Sequence, residues 1–320
     1  MANLLVTWRC NRCCTYCFAR DRNPVASDPA RNSDLTVDCL ERALEFFLRS
    51  NLSVVGILGG EPGLHPNLPG ILDRLLAEGL AVRLFTGGVM SENVARFLAG
   101  TDPQRVRIVI NMPGTEDLGP PSTAKAFWRT MHLLSGRGAL GYTIRAPGED
   151  LRFLADVADA HGMRDPLRIG LASPCIDDPA PPLLPPENLV QLAPLILDLA
   201  EQCSRRDIEL EFDCGFPRCM FTEAEHDRLR GWKVHAAFHC GPIVDIGPDL
   251  SAWSCFPLKA MGMVQFGDQE TREDLFSRLG RQQQAYRNFG IYDRCLTCSH
   301  KRTSECSGGC LAHVVRSFRA

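Results

Sequence analysis

A chain of 320 residues is long enough for one large domain and a smaller one. With 45% hydrophobic and 23% charged residues its composition is ordinary for a globular protein, and a formal net charge of -3 gives no global case for nucleic acid or an anionic membrane as partner. No run of 18 apolar residues occurs, and residues 1–7 lack a basic n-region, so neither a membrane span nor a secretory signal is expected. The protein therefore reads as cytoplasmic. In that reducing setting its fifteen cysteines point to metal or cluster ligands rather than to a disulfide scaffold.

In chain order, residues 4–7 form a short apolar run, read as a buried strand, and a cysteine loop follows its end. Val37, Leu40, Ala43, Leu44 and Phe47 recur at helical spacing over residues 36–49, with Thr36 or Asp34 as N-cap. Strands are expected at 54–58, 81–85, 106–110, 140–144 and 167–171. Helices are expected at 68–80, 91–98, 122–134 and 151–161. Six strand–helix alternations argue for a parallel sheet covered by helices. Right-handed crossovers curl such a chain into a full or partial (β/α) barrel, whose chemistry sits at the C-terminal strand ends. The unusual residues fall there: the cysteine loop, Gly59-Gly60-Glu61-Pro62, Thr86, Asn111 and Arg145. Six prolines in 174–186 mark a loop or seam. A helix is expected over 187–203, kinked or started at Pro194, and a strand at 208–212. Beyond Asp213 cysteine, glycine and aromatic residues dominate, with few periodic runs, which suits a small metal-stapled domain.

The loop Cys10-Asn11-Arg12-Cys13-Cys14-Thr15-Tyr16-Cys17 carries two readings. Two C-x2-C knuckles would hold a zinc ion. Alternatively Cys10, Cys14 and Cys17 form C-x3-C-x2-C, leaving Cys13 outside, and a cubane held by three thiolates keeps one iron open to a small molecule. At the end of the next strand, the glycine pair Gly59-Gly60 leaves backbone groups uncovered for a ligand, and Glu61 can accept from an amino group.

Together the two motifs resemble the radical S-adenosylmethionine (radical SAM) superfamily. The resemblance implies a 4Fe-4S cluster on Cys10, Cys14 and Cys17, with the methionyl part of SAM on the fourth iron. It places the SAM amino group at Gly59, Gly60, Glu61 and Pro62, with Tyr16 beside the adenine. Asn111 is then a contact to the SAM ribose, Arg145 a cation for its carboxylate, and Thr86 a weaker contact at a strand tip. The chemistry implied is reductive cleavage of SAM and hydrogen-atom abstraction from a substrate.

Eight further thiols follow residue 213: Cys214, Cys219, Cys240, Cys255, Cys295, Cys298, Cys306 and Cys310. The last four alone would suffice for a zinc ion. Eight would fill two 4Fe-4S sites. Cys240-x14-Cys255 followed by C-x2-C-x7-C-x3-C resembles the SPASM extension of radical SAM enzymes. That resemblance assigns Cys240, Cys255 and Cys310 to one auxiliary cluster and Cys295, Cys298 and Cys306 to another. A gap of seven replaces the usual five, and no thiol follows Cys310, so upstream cysteines must complete the sets. Cys219 is assigned to the first and Cys214 to the second, with the reverse left open.

The expected architecture is α/β, a partial (β/α)6 TIM-like barrel over residues 1–212 with a small C-terminal cysteine-rich auxiliary-cluster domain over 213–320. Cys175, at the rim after the sixth strand, is a candidate hydrogen donor, and Asp245, ahead of Asp249 and Asp213, a candidate base. Cys13, Cys39 and Cys203 read as packing or surface thiols. Peptide or protein modification is expected, with a small-molecule dehydrogenase or epimerase, or a non-catalytic iron–sulfur carrier, as alternatives. A reductant such as flavodoxin or ferredoxin is implied. Only nine residues precede Cys10, so a reader of a leader peptide is expected to be a separate protein or absent.

Overall fold

The alternation of apolar runs and amphipathic stretches is realised as six strand–helix units. The computed structural model describes residues 1–19, 34–114, 119–163, 165–180, 182–241 and 243–319. The strands are β1 Ala2–Leu5, β2 Val54–Leu58, β3 Ala81–Thr86, β4 Val106–Asn111, β5 Ala139–Ile144, β6 Leu167–Leu171, β7 Leu210–Phe212, β8 Val234–His235, β9 Val244–Ile246, β10 Ser251–Ser254 and β11 Val264–Gln265. The helices are α1 Val37–Arg49, α2 Leu68–Ala77, α3 Glu92–Ala99, α4 Pro121–Leu133, α5 Arg152–Ala160, α6 Ala193–Arg205, α7 Glu223–Gly231, α8 Arg272–Gly280, α9 Ser299–Arg302 and α10 Leu311–Ser317.

The chain divides into two compact units. The first comprises Met1–Gly138, Ile243–Phe256 and Gly262–Arg281. Its strands run in the order β11-β10-β9-β1-β2-β3-β4, with β9, β1, β2, β3 and β4 parallel and β10 antiparallel to both neighbours. β1 is buried along its whole length, as a strand covered on both faces must be. α1 starts where Thr36 accepts from the amide of Cys39, and it turns Leu40, Ala43, Leu44, Phe46 and Phe47 inward. Phe46 and Phe47 are fully buried, each stabilising by about 2–3 kcal/mol. Val37, expected on that face, is 69% exposed because it precedes the first buried turn.

The second unit comprises Ala139–Pro242, Pro257–Met261 and Gln282–Ala320, with parallel strands ordered β5-β6-β7-β8. The expected helix over 187–203 splits into a 3-10 turn, Pro186–Leu192, and α6, whose first turn holds Pro194. Proline fits there because a first-turn amide needs no partner.

Candidate active site

The cysteine loop leaves the end of β1 and is pinned at its base. Arg9 Nε and Nη2 donate to the two oxygens of Asp34 at 3.0 and 2.6 Å, and Thr7 Oγ1 donates to the same carboxylate at 2.6 Å. The amide of Cys17 donates to the carbonyl of Cys14 at 3.1 Å, which closes a turn between two of the three spaced thiols. Cys10 and Cys13 are exposed, and Cys14 and Cys17 half-buried. The Cys10 thiol is raised first of all by the mass of protein packed around it, although solvent still reaches the residue. Under the loop lies a cluster of Leu5, Trp8, Trp253 and Phe256, with Trp8 stacked on Trp253 and Phe18 on Phe256. Trp8 precedes the cysteines in sequence and Phe18 follows them, so each end of the cysteine stretch carries an aromatic ring packed on this cluster.

The turn at residues 59–62 is locked to this loop. The amide of Gly60 donates to Thr7 O at 2.9 Å and that of Glu61 to Arg9 O at 2.8 Å. A Cβ on Gly60 would lie 2.3 Å from Arg9 O and 2.8 Å from Cys10 Cβ; one on Gly59 would lie 2.9 Å from Thr7 O. The glycine pair therefore lets the cysteine loop approach the tip of β2, a role that exposure to a ligand alone does not describe. Glu61 is 1% exposed. Its Oε1 accepts from Gly63 N at 2.9 Å and Thr86 Oγ1 at 2.7 Å, and its Oε2 from Gly87 N at 2.7 Å. One carboxylate thus ties the tips of β2 and β3 and keeps one of about four acceptor positions uncommitted. Burial raises its pKa, opposed by these bonds and by the charge of Arg12.

The other expected residues take distinct places. Thr86 is 1% exposed, donates to Glu61 and accepts from Gly88 N at 2.9 Å, so it supports the carboxylate. Asn111 is exposed at the end of β4. Tyr16 is half-buried within the cysteine loop. Arg145 belongs to the second unit, where its Nε and amide donate to Glu149 Oε1 at 3.2 and 3.1 Å; its charge is met within its own loop. Asp245 is 2% exposed on β9 and accepts from Asn3 Nδ2 at 2.8 Å, in register with β1. Asp213 accepts from Arg168 Nη2 at 2.6 Å and the amide of Cys214 at 2.8 Å, and Asp249 accepts from Ser251 Oγ at 2.6 Å. Cys175 is half-buried, and its carbonyl accepts from Arg316 Nη1 at 3.1 Å. Cys203 is buried and its thiol is pushed up to about 12, which suits inert packing.

Sequence reasoning missed Asn11 and Arg12. Asn11 Nδ2 donates to Val89 O at 2.7 Å, and Arg12 Nη1 to Gly87 O at 3.0 Å and Asn111 O at 3.3 Å. These polar residues lie between cysteines, where a solvated loop is the ordinary reading, and no spacing signals their reach to β3 and β4.

In the second unit seven thiols form two sets. Cys240 and Cys310 are hydrogen-bonded to each other. The bond to Cys240, with help from Ser173 and the amides of Ala312 and His313, lowers Cys310 to about 6 and leaves Cys240 raised. Cys214 sits beside them: the Cβ of Cys310 is 3.3 Å from where a Cβ of Gly215 would be, and the charges of Cys310 and Asp213 raise the Cys214 thiol after burial. Cys214 is reached by solvent, so that burial reflects the mass of protein around it rather than exclusion of water. In the other set, Cys306 Sγ accepts from the amides of Arg218 at 3.5 Å and Gly308 at 3.3 Å, which brings Cys219 next to it along the chain. Cys295 is raised by burial and then, after a backbone bond that lowers it, by Cys219, Cys306 and Cys298. A Cβ on Gly290 would be 2.6 Å from Cys295 Sγ, so glycine keeps that thiol clear. Cys214 thus neighbours Cys310, and Cys219 neighbours Cys295, an arrangement that suits the sorting left open in the sequence, with Cys214 beside Cys240 and Cys219 beside Cys295; Gly215, between the two cysteines, has φ 97°. Cys255 belongs to the first unit, following β10 with φ 49°. Among the described residues, no three His, Cys, Asp or Glu side chains gather closely enough to hold a single metal ion. Among them, too, no helix is long and apolar enough to cross a membrane.

Residues 4–145 match the Radical SAM superfamily. A probable GTP 3',8-cyclase of Methanococcus maripaludis is 29% identical over 109 residues, 34% of this chain and 35% of that protein. The chain therefore spans about a third of that curated relative in the aligned stretch. Native anSMEcpe with bound AdoMet and Kp18Cys peptide matches with a TM-score of 0.64 at 16% identity, over 96% of this chain and 89% of that one. Streptococcus suis SuiB bound to precursor peptide SuiA matches with a TM-score of 0.62 at 14% identity, over 97% and 72%. These likenesses show the fold: α/β, with the largely parallel sheet and covering helices of the TIM-like radical SAM proteins. Among the described strands, β11 in the first unit and β8 in the second each pair with one strand only.

Proposed function

Residues 4–145 form a radical SAM domain, and from that premise we propose that the chain abstracts a hydrogen atom from a peptide or protein substrate, using a 4Fe-4S cluster held by Cys10, Cys14 and Cys17. The observation that carries this reading is the lock between the cysteine loop and residues 59–62, where Gly60 N and Glu61 N donate to Thr7 O and Arg9 O. The donor set fits the group: three thiols on one loop, closed by the Cys14–Cys17 turn. When bound, the cluster supplies the electron that cleaves SAM to a 5′-deoxyadenosyl radical. The chain's own part is to position and shield. Glu61 fixes the strand tips around the SAM amino group, Tyr16 borders the adenine, Asn111 offers a polar contact to the ribose, and Trp8, Trp253 and Phe256 keep water away.

Residues 213–320 supply thiols for auxiliary clusters: Cys214 beside Cys240 and Cys310 in one set, Cys219 with Cys295, Cys298 and Cys306 in the other. Asp245 and Cys175 are the proposed base and hydrogen donor for an oxidising or epimerising outcome. Flavodoxin or ferredoxin is the proposed reductant, and a separate protein the proposed reader of the peptide. The peptide reading is supported by anSMEcpe and SuiB, both solved with peptides. A small-molecule substrate is the second reading, favoured by the relative named as a GTP 3',8-cyclase.

Anaerobically reconstituted protein given dithionite and SAM is expected to release 5′-deoxyadenosine, with about twelve irons per chain for three cubanes. Cys14→Ala should abolish release and remove about four irons. Absence of 5′-deoxyadenosine with and without candidate peptides, together with unchanged iron in Cys14→Ala, would overturn the radical reading and leave an iron–sulfur carrier.

A further inference from the structure

The side chain of Arg12 leaves the cysteine loop between Cys10 and Cys14 and crosses to the strand tips, where its Nη1 meets the carbonyls of Gly87 and Asn111. A Cβ on Gly87 would be 3.2 Å from both Arg12 Nη1 and Glu61 Oε2, so glycine at that position leaves the space in which guanidinium and carboxylate approach. The other terminal nitrogen, Nη2, is shielded from solvent and has no hydrogen-bond partner among the described residues. A charged donor buried without an acceptor is destabilising, and a native fold that keeps one needs a reason. A guanidinium is a planar fork whose geometry matches the two oxygens of a carboxylate. Arg145, the cation expected to meet such a group, is already engaged by Glu149.

We propose that Arg12 Nη2 donates to the carboxylate of SAM, while Nη1 is held in place by the carbonyls of Gly87 and Asn111. Arg12 then both anchors the cysteine loop over β3 and β4 and reads the amino-acid end of the cofactor. The assignment rests on the reading of Cys10, Cys14 and Cys17 as the SAM-binding trio. It differs from a purely structural strut in one respect: it requires selectivity for the carboxylate.

Equilibrium binding of SAM and of decarboxylated SAM to the anaerobically reconstituted protein tests this, with iron content measured alongside. Arg12→Met is expected to weaken SAM binding by about tenfold or more, the scale of a charge-assisted hydrogen bond, and to leave decarboxylated SAM within about twofold. Arg12→Gln keeps an N–H donor for the two carbonyls but removes the charge, and should narrow the preference for SAM in the same way. Equal loss of both ligands, or an unchanged preference, overturns the assignment and leaves Arg12 a strut. Should Arg12→Met lose its iron, the preference measured in Arg12→Gln decides. Wild-type protein that binds neither compound would instead sink the SAM-site reading on which the proposal stands.

Discussion

Arg294 Nη2 donates to Cys219 Sγ at 3.3 Å, and the same guanidinium lies 4.7 Å from the centroid of the Tyr292 ring. The arginine thereby couples the thiol that follows β7 to the segment opening the C-x2-C pair of Cys295 and Cys298.

The pairing of thiols is testable by iron counting and by electron paramagnetic resonance of the reduced protein. Cys219→Ala should lose about four irons and the same spectral component as Cys295→Ala, whereas Cys214→Ala should match Cys240→Ala. Within a set, a double variant should lose no more than either single one. Across sets, Cys219→Ala with Cys240→Ala should lose about eight irons, because independent sites add. Cys219→Ala sharing its lost component with Cys240→Ala would reverse the sets.

Gly60→Ala is expected to disturb the first cluster site more than its single methyl suggests. That methyl would stand 2.3 Å from Arg9 O and 2.8 Å from Cys10 Cβ, contacts with backbone and a short side chain that cannot swing aside. The cysteine loop must shift, so iron should fall by about four per chain while the auxiliary components persist. Gly231→Ala, whose added Cβ meets nothing within 4 Å, is the control. Full iron content in Gly60→Ala would show that the loop does not depend on this approach.

The strand–helix order and the thiol trio were legible because each depends on spacing alone: apolar runs alternate with helical faces, and Cys10, Cys14 and Cys17 share one short loop. Contacts that depend on how loops fold back were not. Gly59 and Gly60 were read as opening backbone to a ligand, while the structure uses them to clear Thr7 and Arg9. Arg12 carries no readable signal, because its partners, Gly87 and Asn111, lie on other strand tips. β9 has three residues, too few to show a period, and its place beside β1 is set by a register that includes the Asn3–Asp245 bond. Helices α7 and α8 had a readable signal that went unused. Thr222 with Glu225 and Thr271 with Asp274 form capping boxes, and these define helix starts where apolar periodicity is weak.

Glu61 should give the protein a characteristic pH response. Its carboxylate accepts from Gly63 N, Thr86 Oγ1 and Gly87 N, yet burial still raises its pKa above the ordinary 4.5. Between 4.5 and the raised folded value the native state binds more protons than the unfolded chain, so this group's contribution to stability grows as pH falls and is lost as pH rises. Glu61→Gln removes the titration. Its single amide oxygen cannot serve three donors, so at pH 7 the variant should be less stable by about 1–3 kcal/mol. Urea unfolding of both proteins from pH 7 to about pH 4, below the unfolded value, measures the difference. The wild-type advantage should widen as pH is lowered through the raised pKa and level off below the unfolded value. A difference that stays constant, or narrows on acidification, would show that Glu61 is not held above its ordinary pKa and that its three donors outweigh its burial.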